Sequence, residues 1–352
     1  MTILLNLSYN TVFGEELVVN LVKGDNPMDV VQQKMSTLNG SEWTCRVNTP
    51  EGMDIISYFY SVEKNGVLSR QEWQLQPHIL RLSASKSESF VVYDHWNDIP
   101  EDAYMYSSAI TDCVAKRAKS KPVKTTSTQA IVIKTKAPQL RSTERLAIMG
   151  EGKAFGEWES TKALQMEEFA PNEWMAVIDA KKVKGNRLEF KFVALDEKID
   201  YTPLWETRNN RTIDLPELKA GESVVYELDT AFFPIFAWKA AGVVVPIFSL
   251  RSEGSFGVGD FGDLKMMVDW AAKTSQRVIQ ILPIYDTTIT NTWTDSYPYN
   301  SISIYALHPQ YADLRQLPEL KDAEAKERME TLRKELNALP QIDYERVNNA
   351  KR

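Results

Sequence analysis

Two short apolar runs, residues 243–248 and 278–284, bracket a loop rich in Gly and Ser and a segment that sets Leu264, Met267, Val268 and Ala271 at helical spacing. Strand, helix and strand in that order make one right-handed βαβ unit, and parallel strands that are apolar throughout require cover on both faces. A single unit cannot supply that cover. Residues 241–314 therefore predict the beginning of a larger parallel α/β fold.

Gly257, Gly259 and Gly262 spell G-x-G-x-x-G between the first run and the helix, and Asp286 follows the second run where a ribose-binding acid would stand. The loop 249–259 is too long for a dinucleotide site, which needs a tight turn that sets the helix N-terminus against the diphosphate. Asp260 and Asp263 would also place negative charge where the diphosphate must lie. A nucleotide-dependent oxidoreductase is thus the weakest of the readings open to the chain.

The same region resembles the start of the catalytic barrel of the 4-alpha-glucanotransferases, the amylomaltase or disproportionating-enzyme family. The resemblance is carried by GVVVPIFSLRSEGSFGVGDFGDL, by RVIQILPI, and by DSYPYNSISIYALHPQY, in that order. It implies a (β/α)8 barrel with its active site at the C-terminal ends of the strands, here the loops 249–259 and 286–303. It also implies that Tyr299 lies beside the donor sugar, with Ser296, Asp295 and Asn300 as polar neighbours; the alternative is that this Tyr-Pro-Tyr loop only packs over the barrel top. The family chemistry is retaining transglycosylation, in which one carboxylate forms a covalent glycosyl-enzyme and a second acts as acid and then base. No residue here aligns with those two carboxylates, which are expected beyond Arg352, so the chain as given is expected to bind glucan without turnover. The charged stretch after Leu314 predicts one helix and a second short one, and IDYERVNNAK resembles an early helical insertion of the family.

Upstream, the chain repeats itself. Residues 223–226 echo residues 90–93, residues 2–22 mirror 129–149, and Trp43, Phe59 and Trp73 correspond to Trp174, Lys191 and Trp205 at an offset of about 132. Period-two segments at regular spacing predict a β-sandwich for each repeat. The second repeat resembles the family-20 carbohydrate-binding module, a starch-binding domain, through Gly156-Glu-Trp158, Leu188-Glu-Phe-Lys-Phe192 and Trp205-Glu-Thr-Arg-Asn-Asn210-Arg211. The resemblance implies a surface site of Trp158, Lys191, Trp205 and Asn210. Two indoles there would stack on successive sugar rings while the ammonium and the amide bond hydroxyls. Trp174, at the start of an alternating strand, reads as core. In the first repeat no tryptophan stands for Trp158, Phe59 replaces Lys191 and His78-Ile79 replaces Asn210-Arg211, so that module is expected to be structural or a weak binder.

The fold class expected is multidomain: two all-β starch-binding β-sandwiches followed by the first strands and helices of a truncated (β/α)8 TIM barrel. The divisions are 1–96, a linker at 97–128 whose Lys-, Ser- and Thr-rich run 115–128 reads as exposed, 129–230, and 231–352. A formal net charge of -7 argues against nucleic acid and is neutral toward starch, glycogen and malto-oligosaccharides. The N-terminus alternates like a strand and no run approaches membrane-spanning length, so the cytoplasm is the expected compartment and no membrane partner is expected. Cys45 and Cys113 have neither metal nor disulfide spacing, and His78, His95 and His308 read as ordinary histidines; no metal or cofactor is expected. The leading reading is a 4-alpha-glucanotransferase with starch-binding modules. The alternative is a non-catalytic α-glucan-binding protein.

Overall fold

Alternation along the strands organises the first two thirds of the chain. In Thr2–Ser8, Ile3, Leu5 and Leu7 are buried, and in Glu42–Asn48, Trp43, Cys45 and Val47 are. Each strand thus has one face to hide, and sheets form to hide them. The computed structural model describes residues 1–24, 29–50, 52–117, 122–196, 202–234 and 239–351. It divides into two units, Met1–Phe236 and Ala237–Arg352.

The first unit is built on one eight-stranded sheet. Its order is Glu167–Ala170, Glu173–Asp179, Ala130–Lys136, Glu222–Glu227, Ser89–Asp94, Thr2–Ser8, Glu42–Asn48 and Ser36–Thr37. The order is palindromic, each strand of one repeat standing at the mirrored place of its counterpart in the other. The centre is a parallel pair in which Ser223, Val224, Val225 and Tyr226 oppose Phe90, Val91, Val92 and Tyr93. The two echoing tetrapeptides are therefore direct neighbours.

Each repeat adds a five-stranded sheet of its own. In the first it is Val30–Lys34, Glu15–Val22, Ile55–Lys64, Val67–Gln71 and His78–Arg81; in the second it is Leu164–Gln165, Glu144–Gly150, Arg187–Asp196, Leu204–Trp205 and Arg211–Asp214. Val92, Val225, Val132 and Val177 pack with Leu17, Val19 and Tyr60 of the first small sheet, whereas Val224, Ile131, Ile133 and Trp174 pack with Ile148, Phe190 and Phe192 of the second. The two small sheets thus cover opposite faces of the shared sheet.

This departs from two separate sandwiches joined by an exposed linker. Ala103–Tyr106 and Ala109–Ala115 are short helical turns. Arg117 then inserts a buried guanidinium between Glu168, Asn172 and the Leu140 carbonyl. The Val123 amide donates to Glu167 at 2.6 Å, and its side chain packs on the shared core. Lys116, Pro122, Lys124, Thr126 and Thr128 of the run are exposed, as its composition predicts, while Arg117 and Val123 dock on partners distant in sequence. Residues 118–121 of the run lie outside the described residues.

In the second unit Gly242–Val244 and Val278–Gln280 pair in parallel, with the helix Phe261–Lys273 between them. Ala271 is buried on that helix and Leu264 and Met267 half-buried, while Val268 is exposed, as are Val244 and Val278 on the strands. A hairpin of Tyr285–Asp286 and Ser303–Leu307 and the helices Ala323–Ala338 and Tyr344–Lys351 follow. Phe256, Val258, Leu336 and Val347 form the core cluster of this unit. The G-x-G-x-x-G turn serves that packing: a Cβ on Gly259 would lie 2.0 Å from the Ile247 carbonyl oxygen. The helix N-terminus is closed by a capping box of Asp260 and Asp263, and Arg315 pairs with Asp260 at 2.6 Å. The amides a diphosphate would need are already satisfied.

Candidate functional site

Along Arg187–Asp196 in the first unit, Leu188, Phe190, Phe192 and Ala194 enter the core, so Arg187, Glu189, Lys191, Val193 and Leu195 share the opposite face. Val193 and Leu195 join Ala147 and Met149 in a small cluster on which Trp158 packs. Trp205 stands opposite Val193 across the strand pair, and Lys191 opposite Met149. The Trp158 and Trp205 rings lie 6.3 Å apart and are inclined by 38°. Trp205 is 39% exposed, and Trp158 is half-buried. Asn210 reaches the same face by donating to Glu189 at 2.7 Å. The structure thus brings Trp158, Lys191, Trp205 and Asn210 to one face of one small sheet.

Local backbone geometry explains how each tryptophan is held. In the turn Lys153–Trp158, Gly156, Glu157 and Trp158 all have positive φ, at 75°, 54° and 66°. A Cβ on Gly156 would sit 2.4 Å from the Lys162 carbonyl oxygen, so glycine is required there. Two successive non-glycine residues in the left-handed region cost about 1 kcal/mol or more each, strain of a kind that concentrates at binding sites. Trp205 is fixed by its neighbour. Glu206 is buried and accepts from the Phe192 amide at 2.9 Å and from Arg211 Nη2 at 2.8 Å. Arg211 in turn bonds Asp229 at 2.5 Å. Partial burial pushes the Asp229 carboxyl up, but Arg208 and Arg211 outweigh it and hold the group below its ordinary value.

Strand register locates the equivalent positions in the first repeat. Tyr60 exchanges backbone and side-chain hydrogen bonds with Glu72 as Phe192 does with Glu206: the Glu72 amide donates to the Tyr60 carbonyl at 3.0 Å, and Glu72 accepts from the Tyr60 amide at 2.6 Å. Gln71 pairs with Ser61 where Trp205 pairs with Val193. The counterpart of Trp205 is therefore Gln71, and the correspondence of Trp73 with Trp205 is corrected. Trp73 lies two residues further along and makes an edge contact with Tyr106, ring centres 5.4 Å apart. The match of His78-Ile79 to Asn210-Arg211 also shifts by one, because His78 opposes Tyr58 as Arg211 opposes Phe190. Phe59, in the place of Lys191, is 4% exposed.

A buried ion network that sequence reasoning missed sits where the repeats meet. His78 lies 3.1 Å from Glu72 and 3.0 Å from Glu227, and Lys134 Nζ bonds Glu227 from the other side. Tyr58 and Tyr60 both donate to Asp94 Oδ2 at 2.7 Å. Burial alone would lower the His78 pKa, but Glu227, Glu72 and Asp94 prevail and raise it well above its ordinary value. Glu227 is likewise pushed up by burial and more strongly held down by His78 and Lys134. Ligand atoms of His78, Asp94 and Glu227 lie within 4.8 Å of one another. His78 and Lys134 already pair with Glu227 from two sides, which suits an ion network rather than a metal centre. His78 carried no motif; only its partners, up to 149 residues away in sequence at Glu227, mark it out.

In the second unit, Tyr299 is 61% exposed, and its ring lies 5.6 Å from that of Tyr297. Asn300 is exposed and Ser296 half-buried. Asp295 is buried and accepts from the amides of Asn291, Thr290 and Ile289 at 2.7 to 3.1 Å, with the Thr290 hydroxyl at 2.9 Å. Desolvation pushes its carboxyl up, but these bonds hold it below its ordinary value. Asp295 thus ties the loop together, while Tyr299 and Asn300 face outward.

Residues 245–352 match the family described as 4-alpha-glucanotransferase, and residues 128–225 match the starch binding domain. The chain is 28% identical over 98% of its length to the 4-alpha-glucanotransferase DPE2 of Oryza sativa subsp. japonica, of which it spans 38%. It is 41% identical over 32% of its length to the 4-alpha-glucanotransferase of Chlamydia trachomatis serovar D, of which it spans 20%. Among solved structures, the family 20 carbohydrate-binding module of a maltotetraose-forming amylase from Pseudomonas saccharophila aligns with 28% of this chain and 99% of its own, at 14% identity and a TM-score of 0.23. Among the described residues no helix is long and apolar enough to cross a membrane.

Proposed function

From a chain that joins a starch binding domain to a 4-alpha-glucanotransferase region, we propose a protein that holds α-glucan on its second β-module and delivers it to a transglycosylating barrel. The observation that carries this reading is the Trp158–Trp205 pair, 6.3 Å apart and set beside Lys191 on one strand face. Rings inclined by 38° suit successive sugars of a curved α-glucan better than a flat chain. Lys191 and Asn210 supply hydrogen bonds to hydroxyls at the edge of that platform.

The barrel to which residues 231–352 would contribute is a (β/α)8 fold, with Tyr299, Ser296 and Asn300 at the donor-sugar loop and Asp295 bracing it. The reaction transfers α-1,4-glucan or glucosyl units from maltose or malto-oligosaccharides to starch or glycogen in the cytoplasm. A carboxylate displaces the leaving sugar with protonation of its oxygen, and an acceptor hydroxyl then displaces the carboxylate with loss of its proton. Tethering to polymer raises the local concentration of acceptor ends. These 352 residues are proposed to bind glucan and to need further carboxylates for turnover. A non-catalytic glucan-binding protein shares the first of these properties.

The test is isothermal titration with β-cyclodextrin alongside a maltose-to-glucose release assay. Saturable binding without glucose release is the expected result. No binding removes the platform assignment, and glucose release by this chain overturns the statement that it needs further carboxylates.

A further inference from the structure

The turn that presents Trp158 also walls a recess of about 390 Å³, and four cations line it: Lys153, Lys182, Lys184 and Arg187. Two acids, Glu151 and Glu157, share the lining, which leaves two positive charges in excess. All four cations are exposed, and among the described residues none is ion-paired. The excess stands out in a chain whose formal net charge is -7. Neither wall is a floppy tail. Lys182 ends, and Lys184 follows, a turn that Asp179 caps by accepting from the Lys181 amide at 3.0 Å, and Lys153 opens the strained turn that ends at Trp158.

Arg187 shares the outward face of its strand with Glu189 and Lys191, and at about 3.3 Å per residue it lies roughly 13 Å along that face from Lys191. Arg187 thus sets one of the four lining cations on the strand face that carries Lys191, within reach of a glucan that stacks on Trp158 and Trp205 and runs along the strand. A neutral sugar gains little from four unpaired cations. A dianion on the same chain matches the two excess charges and meets Lys and Arg donors, the side chains best suited to phosphate oxygens.

We propose that the recess lined by Lys153, Lys182, Lys184 and Arg187 is an anion subsite of the glucan platform, selecting α-glucan that carries phosphate monoesters. This rests on the glucan-binding reading and adds a substrate class to it. The full chain is assayed by depletion against a phosphorylated α-glucan and against the same polymer after phosphatase treatment, with β-cyclodextrin titrated in parallel. The phosphorylated polymer is expected to bind about threefold to tenfold tighter, the gap narrowing as salt rises. In K182Q/K184Q and in R187Q the gap falls below about twofold while β-cyclodextrin affinity is unchanged.

Equal affinity for both polymers, or a gap that persists in both variants, overturns the proposal. Loss of β-cyclodextrin binding by the unaltered chain defeats the glucan reading itself, so the two failures are distinguishable. Titration with inorganic phosphate alone separates the sources of the anion. Weak binding with the polymer gap intact supports a glucan-borne group, whereas tight binding with no gap overturns it in favour of a free anion.

Discussion

The two β-modules share a register and differ in what they put on it. Both place a buried glutamate on the central strand of the small sheet, Glu72 on Tyr60 and Glu206 on Phe192. Both bury a tryptophan at the equivalent place in the shared sheet, Trp43 opposite Leu7 and Trp174 opposite Thr135. On the outward face the second module sets Lys191, Trp205 and the strained Trp158 turn, where the first sets a buried Phe59 and Gln71. In place of the buried Arg211 it has His78, whose ring bridges to Glu227 of the other module. The scaffold was thus kept in both copies; one copy carries the paired indoles proposed to bind glucan, and the other carries the ionic contact that joins the pair.

The largest effect should come from cutting that contact. Glu227→Ala leaves His78 and Lys134 buried without their shared counter-ion, and breaking a buried pair this way costs about 3–5 kcal/mol. Because both modules contribute to one eight-stranded sheet, calorimetry of residues 1–236 within the full chain should show them unfolding together and at lower temperature in the variant. Two separate transitions, with only one of them moved, would break the description of a fused pair.

The same network sets a pH window. His78 has its pKa raised above the ordinary 6.5, so its stabilisation is complete below about that pH and is lost as pH rises through the folded value. Glu227 is held below the ordinary 4.5, so its contribution is present above that pH and is lost as pH falls. Asp94, pushed above 3.8 mainly by burial, opposes part of the Glu227 gain as pH rises from the acid side. Glu72, Lys134, Tyr58, Tyr60 and Asn97, whose amide nitrogen lies 3.2 Å from the ring, also surround His78. Urea midpoints should therefore peak between the two windows and decline toward alkaline pH, and the alkaline decline should flatten in His78→Gln.

The platform gives the next effect. Trp158→Ala and Trp205→Ala should each weaken β-cyclodextrin binding at least about tenfold, roughly 1.4 kcal/mol, with the thermal transition little changed for Trp205, the more exposed ring. Unchanged affinity in both would empty the comparison of its functional content.

The repeat, the strand alternation, the core role of Trp174 and the βαβ unit at 243–284 were legible because each is a local pattern: period two, helical spacing, or an echo at constant offset. The placement of Trp158, Lys191, Trp205 and Asn210 on one sheet face was legible through their short motifs. What escaped has a common cause, since it depends on partners far apart in sequence. The docking of Arg117 needs Glu168 and Asn172, the charged state of His78 needs Glu227, and the fusion of the modules needs residues 89–94 to meet 222–227. The Trp73 misalignment arose because an offset fitted to identities passes over a two-residue slip in a loop. Only strand register shows that slip.

That slip yields the smallest and most discriminating expectation. If position 71 is the true counterpart of Trp205, Gln71→Trp restores an indole at the correct place on the first module, whereas Trp73→Ala removes none. A single ring should still add little, because Phe59 is buried where Lys191 offers its ammonium, and the segment after Glu15–Val22 contains no tryptophan to pair with it. With Trp205→Ala as background, Gln71→Trp should raise β-cyclodextrin affinity by less than about twofold, near 0.4 kcal/mol. Trp73→Ala should leave it unchanged and lower the melting temperature through loss of its contact with Tyr106. A large gain from Gln71→Trp would mean that a lone indole makes a site on this scaffold; a loss of binding in Trp73→Ala would return the ligand to the position from which the register removes it.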